Sequence, residues 1–339
     1  SNSLLDTTKP ESEGGKLSAL YDLIVSQTIQ NDEEAAELLY GESKDNAGYK
    51  KLRGKLKNRL IDAVLNLDLG QFAHTQRQKA QCQCYKDWAA VKILVSKNAN
   101  VAGISLCKRL LKRAKKYDFT ELVMETASLL RVYYGTLGGD IQKFDHYNDL
   151  FKQYRAIWEQ ENLAEELYTE LVIRYVKSKA SQPEIYDKAR QYYNRIAAAM
   201  SAYTSYRLHL SGNLLRMIIP TSVNNYQEAS QLCDEIIHFF EKKAYIATIP
   251  LQIFWYQKIV CCIQLRQFAA GKNAIARCLN YMEEGTYNWF SIKQLNVLLA
   301  FHIKDYQQAY EDFTHLVNHP RYLSLPEHFG ETTRIYGAY

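Results

Sequence analysis

The chain reads as an all-α fold, a helical-hairpin solenoid with a small helical segment at its N-terminus, and three observations predict it. Only 15 glycines and 6 prolines occur among 339 residues, so turns are few and regular elements are long. From about residue 74 onward amphipathic helical patterns follow one another, and none of the period-2 alternation of a half-buried strand interrupts them. The third observation is internal repetition. Tyr306-Gln-Gln-Ala-Tyr-Glu-Asp-Phe313-Thr-His-Leu316-Val317 aligns with Phe268-Ala-Ala-Gly-Lys-Asn-Ala-Ile275-Ala-Arg-Cys278-Leu279. Tyr226 to Ile237 and Tyr186 to Ala197 follow the same template, and Phe144 to Arg155 is a poorer copy. The starting positions are separated by 42, 40, 42 and 38 residues. A period near 40, with two helices per unit, is that of stacked helical hairpins.

The elements are expected in the following order. Residues 1–16 are polar, contain Pro10 and Gly14-Gly15, and read as a disordered lead, with Ser1-Asn2-Ser3 resembling the scar of a cleaved tag. Residues 17–70 hold three helices. The first runs through Leu17 to Val25, and the second, Glu33 to Tyr40, is capped by Asn31 or Asp32 with acids in its first turn. The third is basic, from Tyr49 through Leu60 and on to Leu67, with Leu52, Leu56, Leu60, Ala63, Val64 and Leu67 on one face. Residues 74–320 form the repeat array and residues 321–339 a C-terminal tail. Pro183, Pro220, Pro250 and Pro320 are expected at helix starts and stops, the places a helical chain tolerates proline.

Packing explains the template. A small residue at its fourth position (Ala189, Ala229, Gly271, Ala309) lets the two helices of a hairpin approach closely. The aromatic at the first position seals the corner, and the bulky residue four further on reaches the neighbouring unit. No unit covers its own apolar face, so units stack.

This pattern resembles the tetratricopeptide repeat superfamily, most clearly at residues 290–320, where Ala309, Phe313 and Pro320 stand close to that family's Ala, Phe and Pro. The period is longer than the family's 34, and its first-helix Trp, Gly and Tyr signals are missing. What the resemblance implies is a lengthened, degenerate superhelix over residues 74–320 that docks a peptide or protein in a concave groove. A weaker resemblance covers residues 17–69. There a short acidic helix, a polar turn and a basic helix look like the helix-turn-helix part of some bacterial winged regulators, although no wing strand follows.

Charge is unevenly distributed. The formal net charge is +5, but residues 1–49 carry −7, residues 50–116 carry +14 and residues 117–339 carry −2. Two amphipathic helices hold most of the bases. Lys50, Lys51, Lys55 and Lys57 point away from the apolar face of the first. In the second, Ile104, Leu106, Cys107, Leu110, Leu111 and Ala114 occupy one half, while Lys108, Arg109, Lys112, Arg113, Lys115 and Lys116 occupy the other. Such bases are a solvated face, a dock for the acidic N-terminal segment, or contacts to phosphate or an acidic partner. Lys50, Lys51, Lys55, Lys57, Lys108, Arg109, Lys112, Arg113 and Lys116 are therefore the candidate contacts.

No catalytic spacing is present: no phosphate-binding glycine loop, Gly-x-Ser-x-Gly, His-Glu-x-x-His or Cys-x-x-Cys occurs. Cys82-x-Cys84 is too closely spaced for a usual zinc pair, and Cys261, Cys262 and Cys278 lie on apolar helical stretches as small core residues. His315 and His319 sit near one helix end, where dipole and solvent contacts are commoner than a metal. Neither a cofactor nor a metal is expected. Most of the 26 tyrosines read as packing, with Tyr133-Tyr134 and Tyr203 to Tyr206 as candidate groove residues. Seven unframed cysteines and the lack of an 18-residue apolar window predict a reduced, cytoplasmic protein. The expected function is a non-catalytic scaffold for a protein or peptide partner. The alternative is a nucleic-acid-binding regulator that uses the basic block 50–116, with the repeats as sensor or dimerisation module.

Overall fold

A computed structural model describes residues 11–66, 75–176, 181–327 and 329–331. The chain divides into two compact units, Ser1–Phe72 and Ala73–Tyr339. Among the described residues every regular element is helical.

The first unit contains α1 (Glu11–Val25), α2 (Asp32–Tyr40) and α3 (Ala47–Asn66). α1 begins six residues before the expected start, so residues 11–16 of the lead are helical; residues 1–10 lie outside the described residues. Asn31 caps α2 by accepting from the Glu33 and Glu34 amides, and Asp32, Glu33 and Glu34 in the first turn complement the helix dipole. Leu17, Leu20, Ala35, Ala36, Tyr49, Leu52 and Leu56 form one small core, with Leu60 packed against it. The apolar face expected of the basic helix is thus buried at Leu52 and Leu56 and half-buried at Leu60 and Ala63. Leu67 lies outside the described residues.

The second unit is a run of antiparallel hairpins. The first pairs α4 (Gln76–Ser96) with α5 (Asn100–Lys116), and the second pairs α6 (Thr120–Thr136) with the long α7 (Ile141–Leu171), which ends in a π-helical turn, Val172–Val176. α8 (Gln182–Ala202) then pairs with α9 (Tyr206–Ser222), which a tight turn joins to α10 (Tyr226–Glu241); α10 packs on α11 (Thr248–Gln264), α11 pairs in turn with α12 (Phe268–Leu279), and α13 (Tyr287–His302) with α14 (Tyr306–Val317). One core runs through Cys84, Leu110, Leu130, Cys233, Phe254 and Ile275. A second core packs α8 onto α7 and α9 through Leu167, Ala189, Ile196 and Leu208.

Five connections share one geometry. Asn98, Asp118, Asn224, Arg266 and Lys304 each adopt positive φ, from 54° to 60°. In each, the next amide reaches back to the helix, for example Ala99 N to Leu94 O at 2.9 Å and Asn225 N to Pro220 O at 2.9 Å. Paired with the bond from Asn98 N to Val95 O at 3.0 Å, this is a Schellman closure, which satisfies orphan carbonyls with a left-handed residue. Three residues therefore suffice to reverse the chain. Pro220 departs from expectation here. It lies inside the last turn of α9, where its carbonyl is the acceptor of that closure.

The repeat register is confirmed in part and corrected in part. Tyr226, Phe268 and Tyr306 each open a helix directly after such a turn. Ala189, Ala229, Gly271 and Ala309 are all buried. Tyr186, however, belongs to α8, which is the first helix of its pair with α9. Phe144 falls in the first turn of α7, and there the size relation is reversed: a Cβ on Gly135 of α6 would stand 2.9 Å from the Phe144 ring. A further true copy is α5, with Gly103, Cys107, Leu110 and Leu111 at the small and bulky positions, all buried. A Cβ on Gly103 would stand 3.0 Å from Val95 on α4, so the small position does bring the two helices of this hairpin together. The aromatic first position is less consistent than expected, because Tyr306 is 62% exposed.

The C-terminal stretch also departs from a bare tail. After a 3₁₀ turn, Tyr322–Ser324, Phe329 is buried against Trp289, Phe290 and Leu316. Residues 332–339 lie outside the described residues. No helix among the described residues is long and apolar enough to cross a membrane.

Candidate functional site

α4 and α6 are the first helices of adjacent hairpins, and α5 lies behind them. A groove of about 400 Å³ opens there, lined by Trp88, Lys92 and Val95 of α4, Ile104 of α5, and Glu125, Ser128, Leu129, Val132, Tyr133 and Leu137 from α6 and its end. That volume falls in the range of pockets that take a ligand or a bulky side chain. Its lip is apolar and open: Val132 is 56% and Leu137 73% exposed. Lys92 stands 4.9 Å over the Trp88 ring, so the aliphatic stem covers apolar surface while the ammonium faces water. The arrangement offers an apolar slot with one acid and one base near it. Among the described residues no group of three or more metal-ligating side chains assembles.

The tyrosine expectations divide. Tyr133 lines this groove, as anticipated. Tyr134 instead turns inward and stacks on Tyr147 at 5.7 Å. Tyr206 is buried, with the Arg77 guanidinium 3.9 Å over its ring. A smaller cavity of about 280 Å³ lies between α11 and α13, also first helices of adjacent hairpins, and is lined by Ile253, Tyr256, Met282 and Tyr287.

A polar network fixes the helix ends near the second hairpin. Glu161 of α7 is fully buried and accepts from the Thr120 hydroxyl at 2.6 Å and from the Ser205 hydroxyl. Its other oxygen, Oε2, has no hydrogen-bond partner, with Arg207 Nη1 at 3.5 Å. Arg207 also reaches Glu165 at 2.7 Å and Glu121 at 3.2 Å. Burial pushes the Glu161 carboxyl above its ordinary range, against the pull of the two hydroxyls and Arg207. Nearby, Asp118 accepts from Lys243 at 2.8 Å and from the Tyr245 hydroxyl at 3.0 Å. Arg77 donates to the carbonyls of Tyr117 at 3.1 Å and Asp118 at 3.3 Å. Groups 125 residues apart thus meet along one edge, beyond the nearest-neighbour contacts of a simple solenoid. Nothing in the repeat template signalled this cluster.

The nine candidate basic residues divide between the two units, four on α3 and five on α5. On α3, Lys50 pairs with Asp45 at 2.7 Å and Arg53 with Asp32, so part of the expected docking onto N-terminal acids occurs inside this unit. Lys51 and Lys57 are exposed and Lys55 is half-exposed. On α5, Arg113 is paired with Asp87 at 2.6 Å. Lys108 stands 5.3 Å over the Tyr134 ring, and its pKa is held above the usual value by that hydroxyl. Arg109, Lys112 and Lys116 are exposed. His315 and His319, considered for a metal, are separated by the end of α14, and His319 packs on Trp289 at 5.3 Å. No two of the seven cysteines are joined.

No family model matches the chain. No curated protein sequence matches it either. Among solved structures it is similar to the crystal structure of a tetratricopeptide repeat protein from Parabacteroides merdae ATCC 43184, with 14% identity and a TM-score of 0.34, over 97% of this chain and 100% of that one.

Proposed function

We propose that the chain is a non-catalytic protein-interaction scaffold of the reducing cytoplasm, whose hairpin array docks a partner segment through the α4–α6 groove. The observation that carries this reading is the pairing of an apolar floor with an exposed apolar lip at Val132 and Leu137, set between two first helices. Exposed apolar surface beside a preformed slot costs solvation until something covers it. A bulky aliphatic or aromatic side chain of a partner fits the slot, anchored as a helix or an extended strand anchors in a groove.

The test is site-specific photocrosslinking in the native host. A photoreactive residue at Val132 is expected to give discrete protein adducts, whereas one at Val223, exposed on another hairpin, gives none of them. Leu137→Asp should remove the Val132 adducts, since it places a charge on the lip without disturbing the core. Identical adducts from both positions, or adducts indifferent to Leu137→Asp, end the proposal.

A further inference from the structure

We propose that the outer face of α5 binds the phosphate backbone of duplex nucleic acid without reading its bases, independently of the groove. From Ser105 to Lys116 the exposed side chains of this helix are Ser105, Lys108, Arg109, Lys112, Lys115 and Lys116. Its other half, with Ile104, Cys107, Leu110, Leu111 and Ala114, is buried in the hairpin core, so the charged face cannot turn inward. The helix contains no acid. Residues 75–116 as a whole carry eleven bases and one acid. That acid, Asp87, is occupied by Arg113. Lys143 of α7 stands 5.1 Å from the same Tyr134 ring that Lys108 approaches at 5.3 Å, but it is paired with Asp140 at the cap of its own helix, so the face rests on the α5 row itself.

Bases in the last turn have a local reason to be there, because cations stabilise the C-terminal end of a helix. Lys108, Arg109 and Lys112 lie before that turn. Lys108, Lys112 and Lys116 are also spaced i, i+4, where like charges repel by a few tenths of a kcal/mol per pair. A polyanion laid along the row removes that repulsion. Lys108 to Lys116 spans about 12 Å at the helical rise, which is enough to meet several phosphates.

Two other occupants fit less well. The centre of a protein interface is apolar and depleted in lysine, whereas this face carries only hydroxyl, ammonium and guanidinium groups, those that contact phosphate. Single strands are held by aromatic platforms on which bases stack, and the rings that Lys108 and Lys116 approach, Tyr134 and Tyr117, are both buried. Charge without apolar or aromatic surface matches a duplex backbone.

The experiment is fluorescence anisotropy of the full chain with a 24-base-pair duplex of arbitrary sequence, titrated between 50 and 200 mM salt. With about four phosphates neutralised, affinity should fall roughly 100-fold over that range. Reversing Lys108, Arg109, Lys112 and Lys116 to Glu is expected to lower affinity at 50 mM salt at least 30-fold. Reversing the exposed Arg190, Arg195, Lys242 and Lys272 changes net charge equally and should cost less than threefold. If the reversed variant misfolds by circular dichroism, the corresponding four-Gln variant is used, with at least a tenfold loss expected. The proposal is overturned by absence of duplex binding at 50 mM salt, by a salt response near zero, or by equal losses in the two reversed variants. Tighter binding of the matching single strand, or of poly-glutamate of equal charge, would also overturn it.

Discussion

α3 and α5 are near twins in composition, each an amphipathic helix with leucines on one side and a row of bases on the other, yet their surroundings differ. On α3, Asp45 and Asp32 meet Lys50 and Arg53, and Asp32 also accepts from the Tyr49 hydroxyl at 2.7 Å. On α5, among the described residues, the ion pair is that of Arg113 with Asp87. Equal numbers of lysines therefore carry unequal meaning: acids of its own unit are folded against part of the α3 row, while on α5 Lys108, Arg109, Lys112 and Lys116 stand exposed on a helix that itself contains no acid. A sequence count cannot separate these cases, because the acids concerned are up to 26 residues away.

The largest effects should show where the two helices are alike. Leu110 on α5 and Leu56 on α3 are both buried in their cores. Truncating either to Ala should cost about 3 kcal/mol of the stability of its own unit, measured by urea unfolding with a probe in each unit. A Leu56→Ala cost below about 1 kcal/mol would mean that the small three-helix core is not a packed interior, and the likeness would fail at its base.

Next comes pH dependence, with opposite signs in the two units. In the first, the Tyr49 hydroxyl, followed by Arg53 and Lys44, holds the Asp32 carboxyl below its usual 3.8. Stability from this group is present above the unfolded value and is lost as pH falls through the folded one. In the second unit, burial raises Glu161 above 4.5, so the folded state binds the proton more tightly. That contribution is fully favourable below the unfolded value and is lost as pH rises through the folded one. Asp32→Asn should flatten the acid limb of the first unit's urea midpoint. Glu161→Gln should raise the second unit's midpoint relative to wild type more at pH 7 than at pH 4. If the Glu161→Gln difference shrinks with rising pH, Arg207 outweighs burial at this carboxylate.

The smallest effects concern the ion pairs themselves. Asp87 is only 17% exposed beside Arg113, and Asp87→Asn should cost about 1 kcal/mol. It also frees a cation on α5, so duplex affinity should rise severalfold and the salt response steepen. Asp45 is 75% exposed, and Asp45→Asn on the α3 side should cost no more than about 0.3 kcal/mol. Thermal melts and the anisotropy assay measure both. If Asp87→Asn leaves duplex affinity unchanged, Arg113 lies off the binding face.

The hairpin architecture was legible because its causes are local. Small residues at 229, 271 and 309, bulky ones four later, and aromatic helix starts repeat at nearly even intervals, and these mark helices that begin directly after a tight turn. The copy in α5 escaped notice because Asn100 replaces the aromatic, although Gly103 and Cys107 keep the packing pair. Tyr186 misled in the opposite way. α8 buries Ala189 and Ile196 against α7 and α9 and so reproduces the small-then-bulky pattern for a different docking. An amphipathic stripe reports that a helix is covered, not by which neighbour. The groove was legible only at Tyr133, because its other walls come from helices that pack side by side without sequence proximity.

The amino-acid order alone determined that the described chain is helical, where most helices start, and which face of α3 and α5 is greasy, since caps, turn residues and 3.6-residue periodicity act over a few positions. Tertiary structure decided which bases find acids, that α8 packs on both α7 and α9, and that Asp118 meets Lys243 along one edge. Those outcomes depend on which distant groups burial brings within hydrogen-bond reach, and Coulomb and packing terms that act over a few ångströms take no account of separation along the chain.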